Sequence, residues 1–136
     1  MKTGRVASAR SSFTHILDTS ALTAYLADEP EGHKLISIRS SSALPFIVLT
    51  ELYYVTYRKL GSAFADKSIE HVVSWKLPFL TADQRLSLLA GTIKSHYALG
   101  IADSYIAAFA LDSQTTLVTR DSDFRALQPE LKLLEL

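Results

Sequence analysis

Four acidic residues, Asp18, Glu51, Asp103 and Asp121, each follow a short apolar run at a point where a helix is expected to begin. Their settings are HILDTSAL (15–22), FIVLTELYY (46–54), GIADSYIAAFA (100–110) and TLVTRDSDF (116–124). In a parallel α/β sheet the loops that follow strands gather at the carboxyl edge, where ligands bind. Carboxylates from separate loops can then share one pocket, and such a group repels itself unless a cation neutralises it. Mg²⁺ and Mn²⁺ prefer carboxylate and water oxygens. A metal held this way polarises a phosphoryl oxygen and eases deprotonation of bound water. The residue set therefore suits hydrolysis of a phosphodiester.

Each acid taken alone has a plainer explanation. Asp18 and Asp121 can cap helices, and Glu51 and Asp103 can favour the positive end of a helix dipole. Taken together they read differently. Asp18 and Asp103 sit between apolar residues on both sides, and a cap needs no such setting. Asp123 is either an outer metal ligand or a helix-start acid. Ser20 and Thr119 lie beside the acids and can orient a carboxylate or a water, or serve as a cap and a strand-end residue. Among basic residues Lys34, Arg39, Arg58, Lys59, Arg120 and Arg125 are candidates for phosphate contacts. Arg120 leads because it adjoins Asp121.

The elements that must position these residues alternate between strand and helix. Strands are expected at 14–17, 45–49 (PFIVL), 77–80, 115–118 and 131–134. Helices are expected at 19–27, 31–40, 51–60, 63–74, from Thr81 or Asp83 to about 97, 102–111 and 121–127. Thr50 is expected to cap the helix bearing Glu51, and Gly61 to end it. This βαβα alternation means a mostly parallel sheet of about five strands, covered on both faces in a three-layer α/β/α sandwich. Residues 1–13 hold Lys2, Arg5 and Arg10 and no acid. They are expected to form a flexible extension, a transit segment or a stretch from an upstream start, ahead of a single domain at 14–136.

Composition narrows the function. The 136 residues suit one domain with a real core. Lys plus Arg and Asp plus Glu each total 14, giving a formal net charge of +0. Nucleic-acid binding through bulk charge alone is thereby disfavoured, although gathering several acids in one pocket leaves the remaining surface net basic. The mean hydropathy of +0.15 points to an exposed apolar face for a second copy or a partner. With no cysteine, a disulfide framework, a thiolate nucleophile and cysteine-bound metals are excluded. No apolar run approaches the ~18 residues of a membrane span. The expected location is the cytoplasm. The four histidines lack zinc-ligand spacing, and neither a G-x-S-x-G elbow nor a phosphate-binding glycine loop is present.

The words ILDTSAL, TELYY, ADSYIAA and TRDSDF, in this order and spacing, resemble a PIN domain over about residues 14–136. Within that group the chain is most similar to the VapC-type toxin ribonucleases of bacterial and archaeal toxin–antitoxin pairs. The resemblance implies a parallel sheet, usually of five strands, and Mg²⁺- or Mn²⁺-dependent cleavage of RNA. It places the metal-binding acids on Asp18, Glu51, Asp103 and Asp121, and the accompanying hydroxyls on Ser20 and Thr119. It also implies a homodimer and an antitoxin protein that wraps its helices.

A non-catalytic PIN-like scaffold for protein or RNA is the competing class, and a solitary RNA-processing nuclease without an antitoxin is a further alternative. A degenerate scaffold would normally have lost one or more acids, and this chain keeps all four. A phosphotransfer domain of the haloacid-dehalogenase kind needs a second Asp two residues after the first, where Ser20 stands.

Overall fold

The computed structural model describes residues 12–136. Most of the expected N-terminal extension, residues 1–11, lies outside the described residues. Phe13, assigned to that extension by its neighbours' composition, is only 3% exposed and packs into the core.

Among the described residues five strands form one sheet: β1 (His15–Leu17), β2 (Ser42–Pro45), β3 (Phe79–Leu80), β4 (Thr116–Thr119) and β5 (Lys132–Glu135). Their spatial order is β3-β2-β1-β4-β5 and every pairing is parallel. Successive side chains of a strand point to opposite faces. Ile16 and Leu17 on β1, and Leu117 and Val118 on β4, are consecutive pairs with no exposed surface. Both faces must therefore be covered, as the alternating sequence pattern requires. The chain grows outward from β1 through β2 and β3, then returns to place β4 on the other side of β1. The topological switch point thus lies between β1 and β4, and Asp18 and Thr119 stand at the carboxyl ends of those strands.

The helices are α1 (Thr19–Leu26), the four-residue α2 (Leu35–Ile38), α3 (Phe46–Leu60), α4 (Ser62–Val73), α5 (Gln84–His96) and α6 (Ile101–Ser113). Short 3₁₀ turns cover Pro30–Lys34, Arg39–Ser41 and Ser122–Leu127. The expected helix over 31–40 is therefore broken into three pieces. Helix α6 is buried around most of its circumference, through Ser104, Ile106, Ala107, Ala108, Phe109, Ala110 and Ser113. Its small residues let it lie close to β1, β4 and α3. Asp103, in its first turn, is carried with it toward the middle of the sheet's carboxyl edge.

One expected strand is wrong. The strand is SALP (42–45), and PFIVL supplies its last residue and then the start of α3. A short apolar run does not distinguish a buried strand from a buried helix face. Val48, Leu52 and Thr56 are the buried residues of α3, a four-residue spacing that belongs to a helix. Thr50 is accordingly no cap, and its hydroxyl donates to the Phe46 carbonyl within the helix (3.4 Å). Glu51 lies in the second turn of α3 rather than the first, so a helix-dipole role no longer accounts for it. Gly61 does end α3, with φ of 90° that an L side chain rarely adopts.

Gly32 marks a close approach. A Cβ there would lie 2.4 Å from the Tyr25 amide nitrogen and 2.5 Å from the Ala24 carbonyl carbon, both backbone atoms of α1. Gly91, within α5, would meet nothing within 4 Å. Gly32→Ala should therefore destabilise the protein by roughly 1–3 kcal/mol. Gly91→Ala should stabilise it by up to about 1 kcal/mol. Urea denaturation of the two variants checks this, and shifts of the same sign would contradict the packing of Gly32 on α1.

Candidate metal centre

Asp18, Glu51 and Asp103 come from three separate elements, and one carboxylate oxygen of each lies within 4.8 Å of the others. Asp18 precedes α1 with extended backbone and caps nothing through its side chain. The residue is 3% exposed. The Ser20 and Thr119 hydroxyls both donate to its Oδ2, each at 2.7 Å. The direction of those donations is fixed from behind. The Arg120 amide donates to Ser20 Oγ and the Asp121 amide to Thr119 Oγ1, both at 2.9 Å. Each hydroxyl thus receives a backbone proton and directs its own at Asp18.

Thr19 adds a residue that the motif reading missed. Its hydroxyl donates to Glu51 Oε1 at 2.6 Å, tying the start of α1 to the second turn of α3. Its place inside the word DTS, between two site residues, was the available signal.

Electrostatics make the cluster costly as it stands. Burial pushes the Asp18 carboxyl above its ordinary value; the Thr119 and Ser20 hydroxyls and the Thr19 amide oppose this, and the Glu51 charge adds to it. Asp103 has no hydrogen-bond donor or cation partner among the described residues. Burial, followed by the charges of Asp18, Glu51, Asp121 and Asp123, raises its pKa from 3.8 to about 7. A carboxyl without donors, among like charges, is a group that a cation would relieve. Oxygens bound to one Mg²⁺ sit about 2.1 Å from it, hence within about 4.2 Å of each other. Small side-chain adjustments bring a 4.8 Å triad to that spacing. The donor set, all oxygen, fits a hard divalent ion.

The other expected site residues take secondary places. Asp121 caps the turn Ser122–Leu127, its Oδ1 accepting from the Asp123 amide at 2.9 Å. It lies outside the close triad, and Asp121 and the exposed Asp123 reach the site through charge on Asp103. The Arg120 guanidinium turns to Glu29 and Glu31, in the segment after α1. Arg125 makes two bonds to Glu135, at 2.7 and 2.8 Å. Lys34 is exposed at the end of a 3₁₀ turn and pairs with none of the site carboxylates among the described residues. A surface depression of about 620 Å³ is apolar, lined by Phe46, Leu49, Tyr53, Ile69 and Phe79, and holds none of the site acids.

The PIN domain family model matches residues 15–128, and the chain belongs to that family. No curated protein matches the chain in sequence. Solved structures with this fold include VapBC2 of Rickettsia felis bound to a DNA fragment from its promoter. It has a TM-score of 0.74 and 19% identity, over 90% of this chain and 98% of that one. DNA-bound VapBC of Salmonella typhimurium gives 0.74 and 21%, over 90% and 98%. VapC20 of Mycobacterium tuberculosis, a sarcin–ricin loop cleaving toxin, gives 0.69 and 15%, over 85% and 95%. Identities this low establish a shared fold.

Below about 7, the Asp103 proton competes with a cation, so Mn²⁺ affinity should rise about tenfold per pH unit and level off above that value. The sign for folding is opposite. Metal-free folded protein holds this proton more tightly than the unfolded chain, so stability from this group falls as pH rises from 3.8 to about 7. Titration calorimetry and thermal melts across that range check both. Thr119→Val keeps the buried shape and removes one donor to Asp18, which should weaken Mn²⁺ binding roughly 10- to 100-fold. Unchanged affinity would show that the hydroxyl does not orient Asp18.

Proposed function

We propose that this protein is a Mg²⁺- or Mn²⁺-dependent endoribonuclease, acting in the cytoplasm as the toxin of a type II toxin–antitoxin pair. The convergence of Asp18, Glu51 and Asp103 from β1, α3 and α6 carries the reading. Membership of the PIN domain family and the likeness to VapBC structures support it. No helix of the described residues is long and apolar enough to cross a membrane.

In this reading Asp18, Glu51 and Asp103 hold the cation. When bound, it would polarise a phosphoryl oxygen and lower the pKa of a water beside it. Ser20 and Thr119 keep the Asp18 carboxylate in one orientation, and Thr19 does the same for Glu51. Asp121 and Asp123 extend the negative field at the mouth, which favours cation capture from solvent. An antitoxin protein and a second copy of the chain are the proposed partners. Exposed apolar residues on the helices, among them Leu60, Phe64 and Val73, offer surface for such contacts.

Asp103→Asn removes a ligand and a repulsive charge together. Purified variant and wild type, incubated with a total-RNA pool and Mn²⁺ or Mg²⁺ against EDTA, should differ sharply. Wild type should give discrete metal-dependent products and the variant none. The metal-free variant should melt no lower than wild type. Cleavage by Asp103→Asn at the wild-type rate would sink the assignment. Folded, inhibitor-free wild type that cuts nothing would favour a non-catalytic scaffold.

A further inference from the structure

We propose that Tyr54 and Arg58 of α3 form a stacking and phosphate-contact subsite for a single-stranded stretch of RNA beside the carboxylates. The proposal rests on RNA being the substrate, as argued above.

Helix α3 supplies Glu51 to the acidic triad. Residues three and four apart on a helix share a face. Tyr54 is three residues beyond Glu51, and Arg58 is four beyond Tyr54. Along the axis they stand about 4.5 and 10.5 Å from Glu51. Long helical side chains lean back toward the N-terminus, so the Tyr54 ring is carried toward the turn that holds Glu51. The Arg58 guanidinium carbon lies 5.1 Å from the Tyr54 ring centroid. The strip leads directly away from the metal-binding acids.

The partners of neighbouring side chains single out this pair. The Tyr53 hydroxyl donates to Asp66 at 2.8 Å, and the Tyr53 and Tyr57 rings meet edge to face at 5.7 Å. Tyr54 is 45% exposed. It has no contact with another ring, and its hydroxyl has no partner among the described residues. Arginines elsewhere are already engaged by acids: Arg85 with Asp112, Arg120 with Glu29 and Glu31, Arg125 with Glu135. Arg39 lies over Trp75, just before β2 and so at the opposite edge of the parallel sheet from the acids. Arg58 is the described arginine near the site that no carboxylate neutralises. A half-exposed ring with an unneutralised guanidinium against it is the combination that binds single strands. The base stacks on the ring, and the cation meets the phosphate. A protein partner would also accept Tyr and Arg. Charge and continuity with a site for phosphodiester chemistry favour the nucleic acid.

The test uses full-length Asp103→Asn protein in Mg²⁺, with two fluorescent probes. One is a short single-stranded RNA of mixed sequence, and the other is the same backbone with abasic positions. Adding Tyr54→Ala should weaken binding of the first roughly 5- to 150-fold, the range of base–aromatic stacking. It should leave binding of the abasic probe unchanged, and Tyr54→Phe, which keeps the ring, should bind like the parent. Arg58→Ala should lower the salt slope by about 0.7, the value for one single-strand phosphate contact, and Arg58→Lys should restore it. In protein with Asp103 intact, Tyr54→Ala should raise KM with kcat nearly unchanged. Equal binding of both probes by Tyr54→Ala and its parent would overturn the subsite. So would a loss of equal size on both probes, or an effect confined to self-association. Cleavage with Tyr54→Ala kinetics unchanged would overturn the subsite and leave the nuclease reading standing. Base-dependent binding that Tyr54→Ala removes, in wild type that cuts nothing, would uphold the subsite and remove the nuclease reading.

Discussion

Mutual repulsion among carboxylates at the carboxyl edge of the sheet is the constraint around which the rest of the structure is arranged. Asp18 is buried, the Glu51 charge acts on it, and Asp103 faces both with no donor of its own among the described residues. In a chain without a cation partner such an arrangement costs stability. It persists because each acid stands on an element whose position the core fixes. Asp18 follows a strand with no exposed apolar residue, Glu51 lies one residue before the buried Leu52, and Asp103 adjoins the buried Ser104 of the most enclosed helix. Apolar burial thus holds together charges that would otherwise separate.

The hydroxyls convert that forced proximity into defined geometry. The turn after β4 presents two successive amides, from Arg120 and Asp121, to Ser20 and Thr119. Because a hydroxyl has one proton, accepting from an amide directs that proton onward, and both arrive at Asp18 Oδ2. A buried carboxylate oriented by two side-chain donors keeps its ionised form within reach despite desolvation. The same turn places Asp121 and Asp123, whose charges act on Asp103. One loop therefore both supports one acid and raises the pKa of another.

The basic side chains show how a chain of neutral overall charge distributes its cations around an acidic site. Several acids are withdrawn into the site, and others are spent on Arg85, Arg120 and Arg125. What remains near the triad is local: Arg58 and its aromatic neighbour on the helix that bears Glu51. Adjacency to Asp121 in sequence had favoured Arg120 as the phosphate contact. In the structure its amide serves the hydroxyl relay, and its guanidinium binds Glu29 and Glu31 from the segment after α1.

The amino-acid sequence by itself determined the class of fold and the identity of the central acids. Alternation of apolar runs with helix-length segments implies a covered parallel sheet, and its order is compatible with a switch point beside the first strand. Asp18 and Asp103 stood out because both acids are set between apolar residues. Three features were decided only by tertiary structure. PFIVL fits a buried strand as well as a helix face, and only packing of Val48, Leu52 and Thr56 resolved it. Thr19 reaches Glu51 across 32 residues of sequence, a contact no local pattern encodes. Asp121 carries the same motif signal as the other acids, yet its side chain closes a local turn outside the triad. A carboxylate's partners are set by the three-dimensional path of its loop, and that path depends on contacts far away in the chain.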